Sequence, residues 1–462
     1  MPVVEENGPS RCCPSWLEQC QLFGRLLPRE DIEQCAPCPP QTLYTPFLVL
    51  HLMIYQRLHP EATLEQAVSQ LLFHFPRSVL PDCKRARSRD FSSNNGAYSR
   101  ARQRLDFEVV DLVSQHVFDT LVDSYPYTFA GRQAFIIDGT TSPLDPRGKA
   151  LLQEFPPAEN QHGTSPFPLM HLAMAFELST GAALAPEVGA MYGPHASSEI
   201  DLAQGLLERL PEQSLVLGDR NFGVFAFAHA AVSRGHEALL RLTKSRFESL
   251  RKKAAQLGQG LWRLKWRPTH QDRKKHPELP QDALVEGWLM EHPLGDGTSL
   301  YLFSTLEETV AAMAAVYKLR WGGETNIGDL KGTLSMEGLR GRSPEMVMKE
   351  LWMTIVSHNL TVHVRRLAAK QAQLQPRQLS YKGVWSLVIA FLQGIVDLCD
   401  EADLQDEFER LLRAAAQRKL PRRKKTRSFP RQAYAKRQKF PTRKRGTDPD
   451  EPGQNNDSRE SK

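Results

Sequence analysis

The hydrophobic rhythm of the chain changes several times along its length. From the N-terminus to about residue 125, apolar positions recur every three or four residues, as in "TLYTPFLVLHLMIYQRL" (42–58) and "TLEQAVSQLL" (63–72), which predicts helices and no strands. From 133 the pattern becomes short apolar runs: "AFIID" (134–138), "LMHLAMAFEL" (169–178), "ALAPEVGAMYG" (183–193), "SLVLGD" (214–219) and "EALLRLTK" (237–244). The first three, separated by loops, read as antiparallel strands. The helical patterns "SSEIDLAQGLLERL" (197–210) and "FAFAHAAVSRG" (225–235) flank the fourth, as an alternating α/β sheet requires. Residues 245–304 carry further strand-like runs, "GLWRLKWRP", "ALVEGWLMEHP" and "TSLYLFST", the last two joined by the turn "LGDGT". Helical periodicity returns at 305, where Thr305 and Glu308 have capping-box spacing, and continues through 344–371 and 382–416. The pattern predicts an α/β protein in five parts. These are a helical N-terminal domain (1–125), a core assembled from 126–244 and 305–371, a β-rich insertion (245–304), a helical C-terminal region (372–417) and a tail (418–462).

Composition adds limits. A chain of 462 residues, 41% hydrophobic and 24% charged, can bury a large core. Its longest apolar run, "FLVLHLMIY" (47–55), is too short to cross a bilayer, and "MPVVEENGPSRCC" lacks the regions of a secretory signal. The expectation is a cytoplasmic protein with no membrane contact. Seven cysteines, crowded toward one end, do not make a disulfide framework. Cys35 and Cys38 have zinc-ligand spacing, but no second pair follows at a familiar distance, which leaves free thiols.

The net charge of +6 hides an asymmetry. Residues 418–445 carry fourteen Lys/Arg and no acid, and the rest of the chain then holds 45 basic against 53 acidic residues, a balance of −8. Such a tail cannot form a packed core, and its natural counter-ion is a polyanion such as nucleic acid; Phe429, Tyr434 and Phe440 are spaced to stack on bases. A second basic patch, Lys84, Arg85, Arg87, Arg89, Arg100, Arg102 and Arg104, falls among the N-terminal helices and suits DNA phosphates. In "LWRLKWR" (261–267) aromatic and basic residues alternate, as in an edge strand facing DNA or one packing its tryptophans inward.

The chemistry concentrates in "YKLRWGGETNIGDLK" (317–331). At about 100° per residue, Tyr317, Arg320, Glu324 and Lys331 share one stripe roughly 60° wide, while Asp329 points elsewhere. Gly322 and Gly323 are costly inside a helix and predict a kink or a close approach by DNA. Two aspartates have the form to join Glu324: Asp138 ends "AFIID" and Asp219 ends "SLVLGD", and an acid just past a buried strand is held rigidly at the sheet edge. Three carboxylates supply hard oxygen ligands suited to Mg²⁺, and two such ions about 4 Å apart serve an in-line phosphoryl displacement. Arg320 and Lys331 would then hold phosphates, with Tyr317 hydrogen-bonding or stacking.

The pattern Tyr317-x2-Arg320-x3-Glu324-x6-Lys331, with "FIIDGTTS" and "LVLGDRNFG" upstream, resembles the signature of bacterial DDE transposases of the insertion-sequence-four family. The strand insertion before the glutamate is similar too, as is "AYSRARQRL" (97–105), which in the family helps recognise the transposon end. The resemblance implies a ribonuclease-H-like core and cut-and-paste transposition. Asp138, Asp219 and Glu324 would be the catalytic metal ligands for Mg²⁺, with Mn²⁺ able to substitute, and Tyr317, Arg320 and Lys331 would contact DNA. It also implies double-stranded DNA partners, both terminal inverted repeats and target, a homodimer in the synaptic complex, and a place at the bacterial nucleoid. Neither Trp262 nor Trp288 aligns securely with the family's base-stacking tryptophan.

Three other readings use the same residues. "IIDGTT" and "GDRNFG" loosely resemble haloacid-dehalogenase-like phosphatase motifs, but that family needs an acid where this chain has Thr140. A plain metal-dependent nuclease would share the acids without pairing two DNA ends. A catalytically inactive, transposase-derived DNA-binding protein is disfavoured by the presence of all three acids.

Overall fold

The computed structural model describes residues 26–421 apart from 75–79, 89–90, 125–127, 161–162, 296 and 395–400. Nearly all of the basic tail, with Phe429, Tyr434 and Phe440, lies outside the described residues, as do Arg89 and the cysteines before Cys35. The chain divides into two units, 1–420 and 421–462, and the fold is that of the first.

The described residues of the N-terminal region fold as helices Arg29–Cys35, Pro46–Leu58, Leu64–His74, Lys84–Ser88, Gly96–Arg104 and Phe107–Ser124. Thr45 begins the second by accepting a hydrogen bond from the Leu48 N–H, and Pro46 occupies the first turn, where no N–H is needed. Arg102 is not part of the surface basic patch. It is 7% exposed, lies over the Tyr98 ring and pairs with the equally covered Glu350 at 2.5 Å, so its charge is neutralised inside the protein.

Twelve strands follow among the described residues: β1 (Thr128–Phe129), β2 (Arg132–Pro143), β3 (Glu159–Asn160), β4 (Gly163–Thr164), β5 (Leu169–Glu177), β6 (Glu187–Ala190), β7 (Leu215–Gly218), β8 (Glu237–Arg241), β9 (Ala255–Gly258), β10 (Leu261–Trp266), β11 (Val285–Pro293) and β12 (Ser299–Ser304). Ten make one sheet in the order β6-β5-β2-β7-β8-β12-β11-β10-β9, with β1 beside β2. As expected, β2, β5 and β6 pair antiparallel, whereas β2, β7 and β8 run parallel. Helices Glu199–Arg209 and Phe225–Ser233 stand before and after β7. Ser198 and Asp201 close a capping box on the first. The strands of 255–304 extend the same sheet, because β12 pairs with β8. Their alternation puts Trp262 and Trp266 inside, against Phe247 and against Phe225 and Phe303, and leaves Arg263 and Lys265 exposed. Those tryptophans are core residues.

Both faces of the central strands are covered, so their apolar runs are continuous rather than alternating. Phe135, Ile137 and Val216 pack against helix Glu199–Arg209 and its neighbours; Ala134, Ile136, Leu215 and Leu217 pack on the opposite face with helix Val310–Lys318. Helix Pro344–Gln371 is buried along most of its 28 residues, beneath β5, the N-terminal helices and helices Tyr381–Gly394 and Glu401–Ala416. Its Thr354, Ser357 and Thr361 satisfy their hydroxyls on the helix's own carbonyls.

Two expectations about the helix at 305–331 need correction. Thr305 is not its cap: its hydroxyl donates to Glu237 and accepts from the Ala238 N–H, and the helix starts at Val310 beneath Thr309. Nor is 317–331 one regular helix. Helix Val310–Lys318 passes into Trp321–Gly332 through a tight turn, in which Arg320, Gly322 and Gly323 donate to carbonyls three residues back. No described helix is long and apolar enough to cross a membrane.

Candidate active site

The parallel pairing of β2 and β7 brings the two aspartates together. Ile136 lies opposite Leu217 in the register, so continuing two residues along each strand sets Asp138 beside Asp219 on the face that carries Ile136 and Leu217. The turn that bears Glu324 packs on the same face. A Cβ on Gly323 would lie 2.8 Å from Ile136 Cγ2, and only glycine allows the helix so close.

Arg320 joins the acids. Its guanidinium donates to Glu324 Oε1 at 2.9 Å and reaches Asp138 Oδ2 at 3.5 Å. It is 7% exposed and sits 5.9 Å from the centre of the Tyr317 ring, which is itself covered. Burial pushes the Tyr317 phenol up to about 12, so it stays neutral under the guanidinium. Lys331 is seated farther along β2: its ammonium donates to the Thr141 carbonyl at 2.9 Å and pairs with Glu337 at 3.0 Å. Asp329, left out of the stripe, lies near Arg365 and Arg377 instead.

A fourth carboxylate stands here that the sequence pattern did not single out. The Glu199 side chain lies flat on Gly139, so near that a Cβ there would be 1.9 Å from its Oε1. Its other oxygen accepts from Asn221 Nδ2 at 3.3 Å, and the Asn221 N–H donates to Asp219 Oδ1 at 2.7 Å. Glu199 is the first residue after its helix cap and reads in sequence as an ordinary first-turn acid. The glycine directly after Asp138 was the available hint of a close approach.

The field is strongly negative. Burial raises the Asp138 carboxyl to about 6; Asp219 and Glu199 push the same way, while Arg320 and the Gly139 N–H oppose them. Burial, then Asp219, also raises Glu199. The donor chemistry fits a hard divalent cation. The acids offer oxygen donors, and the charge they already attract there is a covered guanidinium between Asp138 and Glu324. Asp138, Asp219 and Glu324 would hold such an ion. Among the described residues no three acids are drawn into a coordination sphere, and Arg320 supplies the counter-charge.

The raised Asp138 value has a consequence for stability. The folded protein holds a proton at Asp138 up to about pH 6, whereas the unfolded chain releases it near 3.8, so in the absence of metal this group's contribution to stability falls as pH rises through that window. Asp138→Asn removes the buried charge. It should stabilise the protein in EDTA at pH 7 by about 1–3 kcal/mol, seen as a higher melting temperature, and flatten the pH dependence. Thermal unfolding of both proteins from pH 4 to 8 is the check; a lower melting temperature for Asp138→Asn at every pH would mean that the Arg320 pair outweighs the burial cost.

Residues 129–360 match the family model for the transposase DDE domain. The chain is also 25% identical over 442 residues, covering 91% of it and 93% of the relative, to the transposase InsG for insertion sequence element IS4 of Escherichia coli (strain K12). The chain belongs to the DDE transposases of the insertion-sequence-four family.

Proposed function

We propose that this transposase cuts DNA at the ends of an insertion sequence and joins the freed ends to target DNA, by cut-and-paste transposition dependent on Mg²⁺. The observation that supports the proposal is Arg320 paired with both Asp138 and Glu324, with Asp219 beside Asp138 on the adjacent parallel strand. We read β2, β5, β6, β7 and β8, with their crossover helices, as a ribonuclease-H-like core: three antiparallel strands and two further parallel ones, with the first acid on the central strand.

Bound at the three carboxylates, the divalent ion would supply a lowered water pKa and charge neutralisation at the scissile phosphate. The chain's own groups do the rest. Arg320 is the cation nearest the acids, and a phosphate oxygen entering the site competes with Asp138 and Glu324 for its N–H groups. Tyr317 packs beneath Arg320 and fixes its direction. Lys331, held on the strand of Asp138, meets a phosphate farther along the end by exchanging Glu337 for it. Hydrolysis breaks the P–O3′ bond and frees a 3′-hydroxyl; joining forms one P–O3′ bond and breaks another, so it needs no external energy source.

DNA would also be gripped away from the acids. Lys84, Arg85, Arg100 and Arg104 line a groove with Thr42 and Tyr44 on the N-terminal helices, suited to the phosphates of a terminal inverted repeat. Because each end needs a set of acids, we read the working form as a homodimer holding two ends, acting at the nucleoid in the cytoplasm.

The test is a DNA substrate carrying one or two terminal repeats, incubated with the full chain in Mg²⁺ and target plasmid. Joined products that require two ends are expected. Cleavage that is indifferent to end number, with no joining, would make the protein a nuclease. The Lys331 role gives a finer prediction. Lys331→Ala should weaken the end complex about tenfold, and excess protein should recover most of the cleavage, whereas Glu324→Ala keeps the complex and loses chemistry at any concentration. Gel-shift and cleavage titrations separate the two; normal binding by Lys331→Ala with no cutting at saturation would end its role as an anchor.

A further inference from the structure

The Gly322–Gly323 pair is explained from two sides, and one of them leads to a residue far along the chain. Gly323 makes room for Ile136. A Cβ on Gly322 would instead lie 2.5 to 2.8 Å from Cζ, Nη1 and Nη2 of Arg377. Arg377 belongs to a single 3₁₀ turn, Pro376–Gln378, that comes after helix Pro344–Gln371. Its guanidinium makes no ion pair among the described residues; its N–H groups go to neutral acceptors. Nη1 donates to the Gly322 carbonyl at 3.3 Å and to Asn326 Oδ1 at 3.2 Å. Nε donates to the Leu178 carbonyl at 2.7 Å, and Nη2 to the Glu177 carbonyl at 3.4 Å.

Those partners define a task. Residues 322 and 326 are one turn apart on the inward side of helix Trp321–Gly332, and Glu324, midway between them, points to the opposite, half-exposed side. Glu177 pairs with Phe135 on β2, and Leu178 donates its N–H to the Ala134 carbonyl, so the other end of the guanidinium is fixed to the strand beside the one that carries Asp138. Asn326 is 1% exposed and leans on Gly181, which takes a left-handed φ of +83° where a side chain would collide with it. The arrangement is a planar fork joining the back of the glutamate's turn to the neighbouring strand.

We propose that Arg377 is a positioning residue for Glu324. By tying Gly322 and Asn326 to the end of β5, it sets the distance from the glutamate's turn to the aspartates, and Gly322 is glycine because the fork must lie against its Cα. The proposal rests on the assignment of Glu324 to the active site.

The experiment uses the full chain with Arg377→Ala, Arg377→Lys, Gly322→Ala, the Arg377→Ala/Gly322→Ala double variant and Glu324→Gln. Affinity for terminal-repeat DNA, melting temperature and cleavage rate at saturating protein are measured for each. Arg377→Ala should bind the DNA within about twofold of wild type yet cut about 100-fold more slowly at saturation, the scale expected for a displacement near 1 Å. Arg377→Lys should recover part of that rate, since an ammonium reaches one or two of the acceptors. Gly322→Ala should be slow by a similar factor, and the double variant no slower than either single one, because both act on the same contact. Wild-type cleavage by folded Arg377→Ala, or single effects that multiply in the double variant, would overturn the proposal. Should Arg377→Ala fail to fold, Arg377→Lys and Gly322→Ala decide, and wild-type rates in both overturn it. If Glu324→Gln itself cuts at the wild-type rate, the assignment of Glu324 fails and this proposal fails with it; inactive Glu324→Gln beside fully active Arg377 variants leaves that assignment standing and removes only the positioning role.

Discussion

Replacing Asp138, Asp219 or Glu324 by alanine is expected to lower cleavage of terminal-repeat DNA by about 10³-fold or more, the equivalent of roughly 4 kcal/mol of lost transition-state stabilisation. DNA binding should change little, because the phosphate-facing cations remain. The fold should survive as well. The Glu324 side chain is 47% exposed, and Asp138 is held ionised at a cost in its buried position, so neither truncation opens a large apolar cavity. The three variants need not be equal. Asp219 receives the Asn221 N–H, with Glu199 behind it, so its loss also frees a positioned turn; Glu324 is held by Arg320. Cleavage rates in Mg²⁺ at saturating protein, alongside gel shifts, separate chemistry from binding. A variant that turns over normally removes its residue from the site.

The second large effect belongs to the tail. Deleting residues 418–462 removes fourteen cations between 418 and 445, and a net charge of +11 over the whole segment. If those cations meet phosphates, each phosphate left unneutralised makes the dependence of log affinity on log salt shallower by about 0.9, and six to ten fewer neutralised phosphates remove about 10³- to 10⁵-fold of the affinity loss between 50 and 200 mM salt, with weaker binding at the low-salt end. Affinity measured between 50 and 200 mM salt, with and without the tail, gives the slope directly. An unchanged slope would mean that the tail only solvates the protein. A deletion that starts at Pro421 keeps the backbone bonds of Arg418 and Leu420 to the turn that carries Arg377, and with it the catalytic rate at saturation should not change.

The side-by-side placement of the two aspartates was legible in sequence because each ends a run of buried aliphatic residues. The segment just after Asp138 was less clear. Gly139-Thr140-Thr141-Ser142 has no apolar alternation, yet β2 continues to Pro143 because β5 pairs with it along that whole length. Helix 344–371 was expected, but its burial on almost every side erases amphipathic periodicity, so its central place could not be read. Arg102 looked like part of a basic surface, since nothing local announces Glu350, nearly 250 residues away. The glycine pair was expected to admit DNA, whereas the groups that lie against it are the protein's own Ile136 and Arg377. Tertiary approaches of this kind leave only a small residue as their mark. Glu199 left less still, because its position after Ser198 satisfies a helix start on its own.

The central claim is that Asp138, Asp219 and Glu324 share a divalent ion in a site where Arg320 otherwise supplies the positive charge. Calorimetric titration of Mn²⁺ into the full chain at pH 7.5, compared with Asp138→Asn and Asp219→Asn, tests it most directly, since it reads metal binding without reference to activity. Saturable binding by the wild-type protein is expected, weakened at least about tenfold by either substitution, with little change in the melting temperature of Asp219→Asn in EDTA. Equal Mn²⁺ affinity in all three proteins would contradict the claim.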